Sequence, residues 1–161
     1  MNPTQQFEEI YEENYHKVIG LCLGYVNGDE DLARDLTQEV FIKVWQHLKM
    51  FRNEASISTW IYRIAVNTCL QQLRKKKPLS LKIDVVDDVV EEKLSEEKHY
   101  QNMYACINLL SDVNKSIILL ELQDMPQKEI SNIIGISHEA LRIRLHRIKN
   151  QLSKCVKNER L

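Results

Sequence analysis

Residues 35–77 read DLTQEVFIKVWQHLKMFRNEASISTWIYRIAVNTCLQQLRKKK. This stretch holds most of one helical pattern, Asp29–Met50, and all of another that runs from Ser58 to about Lys76. Ser58 is predicted to cap the second helix, because a serine hydroxyl can accept a hydrogen bond from a free N–H group of the first turn. The apolar residues of the first helix recur at three- and four-residue intervals, which predicts a buried stripe: Leu32, Leu36, Val40, Phe41, Val44, Trp45 and Leu48.

The opposite face of the Asp29–Met50 helix is acidic and amidic but includes an isoleucine. Its candidate binding residues are Asp35, Gln38, Glu39 and Ile42. A solvated helix face accounts for the charged groups, whereas an apolar Ile42 among them is unusual for such a face. The pattern alone leaves open whether this face has a function.

The helix after Ser58 has a polar stripe and a basic end. The stripe consists of Arg63, Asn67, Gln71, Arg74 and Lys75, and the basic end of residues 74–77, directly before Pro78. Cations favour the C-terminus of a helix, so a capping role is one interpretation. Four consecutive cations exceed what a cap needs, which favours contact with nucleic-acid phosphates.

The composition predicts an all-α protein. The chain has 161 residues, 43% of them hydrophobic, with only 4 glycines and 3 prolines, and turn-bounded strand patterns are missing. A first helix is predicted over Phe7–Gly24. The overall net charge is −1, but residues 78–98 hold 7 acidic and 3 basic residues, which predicts a solvated linker between two helical segments.

The N-terminus and the cysteines predict an intracellular protein. Basic residues followed by an apolar run, the mark of a signal peptide, are missing at the N-terminus, and apolar runs are too short to span a membrane. The chain is therefore expected to be cytoplasmic. The four cysteines are far apart in sequence and form no metal-binding spacing, so they are expected to be small buried thiols. The four cysteines are Cys22, Cys69, Cys106 and Cys155. We predict that the protein binds no metal ion.

Residues 126–152, PQKEISNIIGISHEALRIRLHRIKNQL, predict a helix-turn-helix. Pro126 is placed at a helix start, Gly135 suits a left-handed turn, and Ser137 can cap the next helix. On that helix a 4, 3, 4 spacing buries Leu141, Leu145, Ile148 and Leu152 and leaves a basic outer surface. Such a helix fits a DNA major groove, while an ordinary helical hairpin with a solvated basic face is the alternative.

The strings DLTQEVF (35–41) and STWIYRIAVN (58–67) closely resemble region two of bacterial RNA polymerase sigma factors. The segment EISNIIGISHEALRIRLHR (129–147) resembles their region four, and the two-domain layout is similar to the extracytoplasmic-function (ECF) class. The resemblance covers about residues 7–76 and 100–152. It implies a three-helix region 2 over residues 1–77, a linker over 78–98, and a four-helix region 4 over 99–161.

The resemblance also implies a role for each candidate residue. Asp35, Gln38, Glu39 and Ile42 would dock on the RNA polymerase core. The −10 promoter element would be bound by Arg52, Asn53, Ser58, Thr59, Trp60, Arg63, Asn67, Arg74 and Lys75, although burial in the core is a strong alternative for Trp60. The −35 element would be bound by Lys128, Arg142, Ile143, Arg144, His146 and Arg147. Glu139-Ala140 departs from the family's usual small pair at the start of the recognition helix.

The leading functional hypothesis is a dissociable specificity subunit of RNA polymerase that directs the core to promoters and assists melting. An anti-sigma factor, of a kind that is often membrane-bound, is the further partner expected. Neither a cofactor nor a small-molecule substrate is expected. A stand-alone helix-turn-helix regulator would explain residues 126–152 but not 35–77. An enzyme is the weakest alternative, because the five histidines form no ligand motif and no nucleophile motif is evident.

Overall fold

The computed structural model describes residues 2–76 and 94–158, and these residues form an all-α protein, as predicted. Seven α-helices and one turn of 3-10 helix (Leu48–Met50) are present in the described residues. The α-helices are α1 Pro3–Tyr25, α2 Glu30–His47, α3 Ile57–Lys76, α4 Leu94–Asn108, α5 Asp112–Leu122, α6 Gln127–Ile134 and α7 His138–Asn158. Most of the predicted linker lies outside the described residues, but residues 94–98 of it are helical.

Helices α1, α2 and α3 form the first domain. The spacing of apolar residues in α1 and α2 buries much of one side of each helix, including Val18, Leu21, Val40 and Val44 at 0% exposure. Burying each such side chain contributes roughly 1.5–3 kcal/mol. Helix α1 begins four residues before the predicted Phe7, because Asn2 caps it by accepting a hydrogen bond from Thr4 N at 3.3 Å.

The predicted N-cap of α3 was wrong by two residues. Ser56, and not Ser58, accepts a hydrogen bond from a free N–H group of the first turn, that of Thr59, at 3.1 Å. Ser58 lies inside the first turn of α3, which begins at Ile57. Both serines satisfy the preference for a cap. The choice therefore depends on where the connector between α2 and α3, residues 51–56, allows the helix to start.

Helices α4 to α7 form the second domain, and α6 and α7 form the predicted helix-turn-helix. Leu141, Leu145 and Ile148 are buried at 0%, 3% and 0% exposure. Ser137 caps α7 by accepting a hydrogen bond from Ala140 N at 3.1 Å. Gly135 ends α6 in the left-handed conformation, with φ of 86°, which the interhelical turn requires.

Replacing Gly135 by alanine is expected to lower the free energy of unfolding by about 1 kcal/mol, because a Cβ disfavours positive φ. The effect should be conformational only, since a Cβ on Gly135 would meet no atom within 4 Å. Gly135→Asn should cost less, because asparagine tolerates this conformation better. Urea unfolding of the wild type, Gly135→Ala and Gly135→Asn measures the three free energies of unfolding. An equal loss for alanine and asparagine would contradict the explanation.

The prediction of four free thiols was wrong for two of the cysteines. Cys106 of α4 and Cys155 of α7 form a disulfide, with a Cα–Cα distance of 6.0 Å. Cys22 and Cys69 are free and buried, as expected, but their Sγ atoms lie 3.6 Å apart. The hydrogen bond to Cys22, together with burial, raises the pKa of the Cys69 thiol. Sequence separation gave no indication of either pair, because both bring together residues of different helices.

Reduction of the Cys106–Cys155 disulfide is expected to destabilise the second domain by about 2–4 kcal/mol, because the bond closes a loop with a sequence separation of 49 residues. Thermal melting with and without dithiothreitol measures the loss. In Cys106→Ser the reductant should have no effect on the melting temperature. A melting temperature of the wild type that is indifferent to dithiothreitol would contradict the prediction.

The two domains pack against each other around a continuous core. The cluster of buried residues extends from Val18 and Leu21 in the first domain to Leu119 and Ile148 in the second. Helix α3 contacts α6, and α1 contacts both α4 and α5. The sequence did not predict this arrangement.

Candidate nucleic-acid and protein interfaces

The exposed face of α2 contains all four residues predicted for protein docking. Asp35, Gln38 and Glu39 are exposed, and Ile42 is 56% exposed. Glu39 forms an ion pair with Lys43 at 3.5 Å, and Lys43 donates a hydrogen bond to the Thr68 hydroxyl of α3 at 3.1 Å. The face is therefore braced against α3 while its acidic and apolar groups remain accessible.

Two further apolar side chains extend the exposed surface of α2, and sequence reasoning missed both. Trp45 was predicted to be buried but is 46% exposed; its ring packs edge-on against Phe7 with centroids 5.2 Å apart. Met50, in the 3-10 turn, is 72% exposed. Trp45 lies at the margin of a wide apolar stripe. Its spacing matches that of the buried residues, but the margin of such a stripe remains at the surface.

Among the residues predicted to contact the −10 element, some are exposed and others are buried in the connector and the first turn of α3. Arg52 and Asn53 are exposed, and Asn53 has a left-handed backbone with φ of 57°. Thr59, by contrast, is only 3% exposed and its hydroxyl accepts a hydrogen bond from Ser56 at 2.9 Å. In this structure Thr59 therefore supports the connector from within.

Trp60 and Ser58 are partly buried at the start of α3. Trp60 packs against the hydrophobic core, and its ring lies 5.1 Å from that of Phe51 in the connector. The rings form the wall of a shallow pocket that Arg52 and Arg63 also line. Stacking of a base on an aromatic ring next to an arginine is a common way to bind an unpaired nucleotide.

The polar stripe of α3 lies at the surface. Asn67, Arg74 and Lys75 are exposed. Arg63 is also exposed, but its Nη2 donates a hydrogen bond to the carbonyl oxygen of Asn132 in α6 at 3.0 Å. The side chain of Lys76, and Lys77 itself, lie outside the described residues.

Helix α7 exposes the predicted basic surface. One groove is lined by Glu139, Arg142, Ile143, His146 and Arg147, and Ile143 is 50% exposed. Arg144 is exposed on α7 and Lys128 on α6. Arginine can contact guanine edges, apolar side chains can contact thymine methyl groups, and Glu139 can accept from cytosine, so the groove is suited to reading bases.

Residues 2–76 and 94–158 contain no group of three histidine, cysteine or acidic side chains that could hold a metal ion. No helix among those described has the length and apolarity to cross a bilayer.

A helix-turn-helix domain joined to a second helical domain with a basic stripe is the architecture of a DNA-binding protein. The family model of Sigma-70 region 2 matches residues 10–78, and that of Sigma-70 region 4 matches residues 100–152. The chain belongs to the RNA polymerase sigma factors of the extracytoplasmic-function (ECF) class. It is thus a promoter-recognition subunit for transcription initiation and not an enzyme, as the sequence predicted.

Individual relatives are similar to this chain over most of its length. The RNA polymerase sigma factor SigV of Bacillus subtilis is 34% identical over 79% of this chain and 76% of its own. The ECF RNA polymerase sigma-E factor of Escherichia coli K12 is 30% identical over 88% of this chain and 81% of its own.

Two solved structures share the fold. CnrH, in complex with the cytosolic domain of CnrY, superposes with a TM-score of 0.74 at 16% identity, covering 96% of this chain and 90% of that one. The sigma factor RpoE of Bartonella quintana, in complex with the anti-sigma factor NepR, gives a TM-score of 0.68 at 19% identity, covering 93% of this chain and 98% of that one.

Proposed function

We propose that the two domains divide promoter recognition between them, with residues 1–77 binding the polymerase core and the −10 element and residues 99–161 binding the −35 element. Residues 78–98 would join them. The observation that carries this division is the groove on α7, where Arg142, Ile143, His146 and Arg147 lie side by side on a helix-turn-helix. The second polar surface, on α3, belongs to a different domain.

Helix α2 would dock on the polymerase core through Asp35, Gln38, Glu39 and Ile42. An apolar side chain that is 56% exposed beside three exposed polar groups has the composition of a protein interface. Trp45 and Met50 would enlarge the contact, because aromatic side chains and methionine are enriched in such interfaces.

The connector and α3 would bind the −10 element. The pocket between Phe51, Trp60 and Arg63 is suited to an unstacked base, whose extrusion costs a few kcal/mol that the pocket must offset. Arg52, Asn53 and Ser58 lie at or near this end of α3, whereas Asn67, Arg74 and Lys75 continue along the helix and would follow the backbone of the DNA. Thr59 would act by holding the connector through Ser56.

In the second domain, Arg144 and Lys128 would contact phosphates on either side of the base-reading groove, since both are exposed and cationic. Such contacts fix the position of the helix-turn-helix without reading sequence.

An anti-sigma factor is the further partner we propose, and we place the protein in the cytoplasm, where polymerase and promoter DNA are found. The support comes from the two structural relatives, each of which was solved as a complex. RpoE is bound to the anti-sigma factor NepR, and CnrH is bound to the cytosolic domain of CnrY. A pull-down from the source bacterium with the full chain as bait tests this partner.

In vitro transcription tests the division of roles. Purified core polymerase and the full chain are incubated with a pool of genomic promoter fragments, and start sites are mapped. Discrete start sites preceded by two common sequence elements are expected. Tight binding of duplex DNA by the chain alone, with no transcription, would instead favour a stand-alone regulator.

A further inference from the structure

The second domain contains a disulfide, although the protein is proposed to work in the cytoplasm. Disulfides of cytoplasmic proteins are rare, and those that occur are usually transient and redox-sensing. We propose that the Cys106–Cys155 pair is a reversible redox switch: the disulfide permits binding of the −35 element by α7, and its reduction weakens that binding. The inference rests on the proposed function, which assigns the −35 element to α7.

The chain brings together two pairs of cysteines, and their surroundings differ. Cys22 and Cys69 are free thiols with Sγ atoms 3.6 Å apart, and both are 0% exposed inside the first domain. Cys106 and Cys155 are bonded to each other in the last turns of α4 and α7. Cys106 is 2% exposed, whereas Cys155 is only partly buried. Because exchange requires a thiolate to reach a sulfur atom, the bonded pair is accessible from solution through Cys155.

Reduction would proceed by thiol–disulfide exchange with a cytoplasmic dithiol. A thiolate of the dithiol attacks Sγ of Cys155, the S–S bond breaks, and Cys106 leaves as a thiolate that takes up a proton. The second thiol of the dithiol, once deprotonated, attacks its own sulfur in the mixed disulfide and releases Cys155, which is protonated in turn. In total the cysteine pair gains two electrons and two protons, and the dithiol is oxidised to a disulfide. Oxidised glutathione reverses the reaction and leaves as two molecules of reduced glutathione.

The disulfide fixes a part of α7 that has few other buried contacts. The fully buried apolar residues of this helix end at Ile148. Among residues 149–157 no side chain is fully buried, and Leu152 is only partly buried against the core. An ion pair joins Lys149 to Glu121 of α5 at 3.3 Å, but exposed ion pairs contribute little to stability. The disulfide is therefore the main link between the last turns of α7 and the rest of the domain.

Helix α4 depends on the same bond. Among its residues 98–108, only Cys106 and Ile107 are buried. Loss of a disulfide that closes a loop of this size lowers the folding equilibrium constant roughly 30- to 800-fold. Residues 94–158 form a small domain, and small domains have little stability to spare because they bury a limited fraction of their surface. Reduction should therefore lower the folded population of this domain.

The groove that is proposed to read DNA lies on the same helix as the disulfide. Arg147 precedes Cys155 on α7 by about two turns, and Arg142 and His146 line the groove with it. These side chains lie side by side only while α7 is helical and held on the domain. The bond joins two helices of the second domain, so its reduction leaves the docking surface of α2 in place. The reduced chain should bind core polymerase normally but recognise the −35 element weakly.

Transcription by the holoenzyme in glutathione buffers, from oxidising to reducing, tests the switch. Alkylation of free thiols and mass spectrometry give the fraction of Cys106–Cys155 disulfide in the same samples. We expect the disulfide fraction and transcription to fall together, with transcription decreasing roughly tenfold and core binding staying within about twofold. Reoxidation should restore transcription. Promoters in which the −35 element has been scrambled should show no difference between the buffers.

Two variants provide the controls. Cys155→Ser should transcribe at the level of the reduced wild type in every buffer, which also controls for effects of the buffers on the polymerase. Cys69→Ala removes a thiol of the other pair and should keep the full redox response. A disulfide that stays intact in the most reducing glutathione buffer would make the bond purely structural and overturn the switch, as would equal transcription by the oxidised and reduced chains. Failure of the wild type to transcribe in any buffer would instead count against the proposed function.

Discussion

Replacing Asp35 by arginine is expected to lower transcription with core polymerase by roughly 100-fold at limiting concentrations. Asp35 lies on the exposed face of α2, one turn before Gln38 and Glu39 and two turns before Ile42. Placing a charge of the wrong sign in a complementary interface costs several kcal/mol, and about 2.8 kcal/mol corresponds to 100-fold in the dissociation constant. Binding to immobilised core measures the loss of affinity, and run-off transcription measures the loss of activity.

A matched variant shows whether the loss belongs to this surface. Glu12→Arg makes the same charge change at an exposed position of α1, and it should leave core binding within about twofold of the wild type. Circular dichroism should give the same helix content for all three proteins, because both positions are exposed. Equal losses for Asp35→Arg and Glu12→Arg would mean that net charge, and not the α2 face, determines core binding.

The parts of the fold that follow from local rules were predictable from the sequence. The helix-turn-helix is fixed by short-range features: the left-handed Gly135, the cap at Ser137 and the apolar spacing of α7. Each acts within about one helical turn, so the sequence contains the whole signal. The exposed face of α2 was predictable for the same reason, because helical periodicity separates Asp35 and Ile42 from the buried stripe.

Contacts between distant residues were not predictable in this way. The Tyr25–Ser116 hydrogen bond joins positions 91 residues apart, and the Cys106–Cys155 disulfide joins positions 49 apart. Neither leaves a periodic trace, since each depends on how whole helices pack. The burial of Thr59 was not evident from the sequence either: the family resemblance implied a contact with DNA, whereas the structure leaves Thr59 3% exposed, with its hydroxyl accepting a hydrogen bond from Ser56.

The position of Arg63 was predictable from the sequence, whereas its partner on α6 was not. Its place on the polar stripe of α3 was evident from spacing, and the structure adds that its guanidinium is engaged by Asn132. Loss of Arg63 should therefore weaken both the packing of α3 against α6 and the proposed contact with DNA.

Arg142→Ala is expected to weaken recognition of the −35 element and to relax its sequence preference at one base pair. Arg142 lines the groove on α7 together with His146 and Arg147, and a bidentate contact from arginine to guanine contributes about 1–3 kcal/mol of discrimination. The expected loss is roughly 5- to 150-fold on the preferred sequence and much less on others. Transcription from a promoter library with a randomised −35 element, using the holoenzyme, measures the preference at every position.

Lys128→Ala separates base reading from charge. Lys128 is exposed on α6 and is proposed to contact a phosphate, so its loss should weaken all library members about equally. It should also reduce the slope of log affinity against log salt by about 0.9, the change expected for one phosphate contact. A uniform loss across the library for Arg142→Ala as well would reassign Arg142 to the phosphates. In that case the specificity of the groove would depend on Ile143, His146 and Arg147 instead.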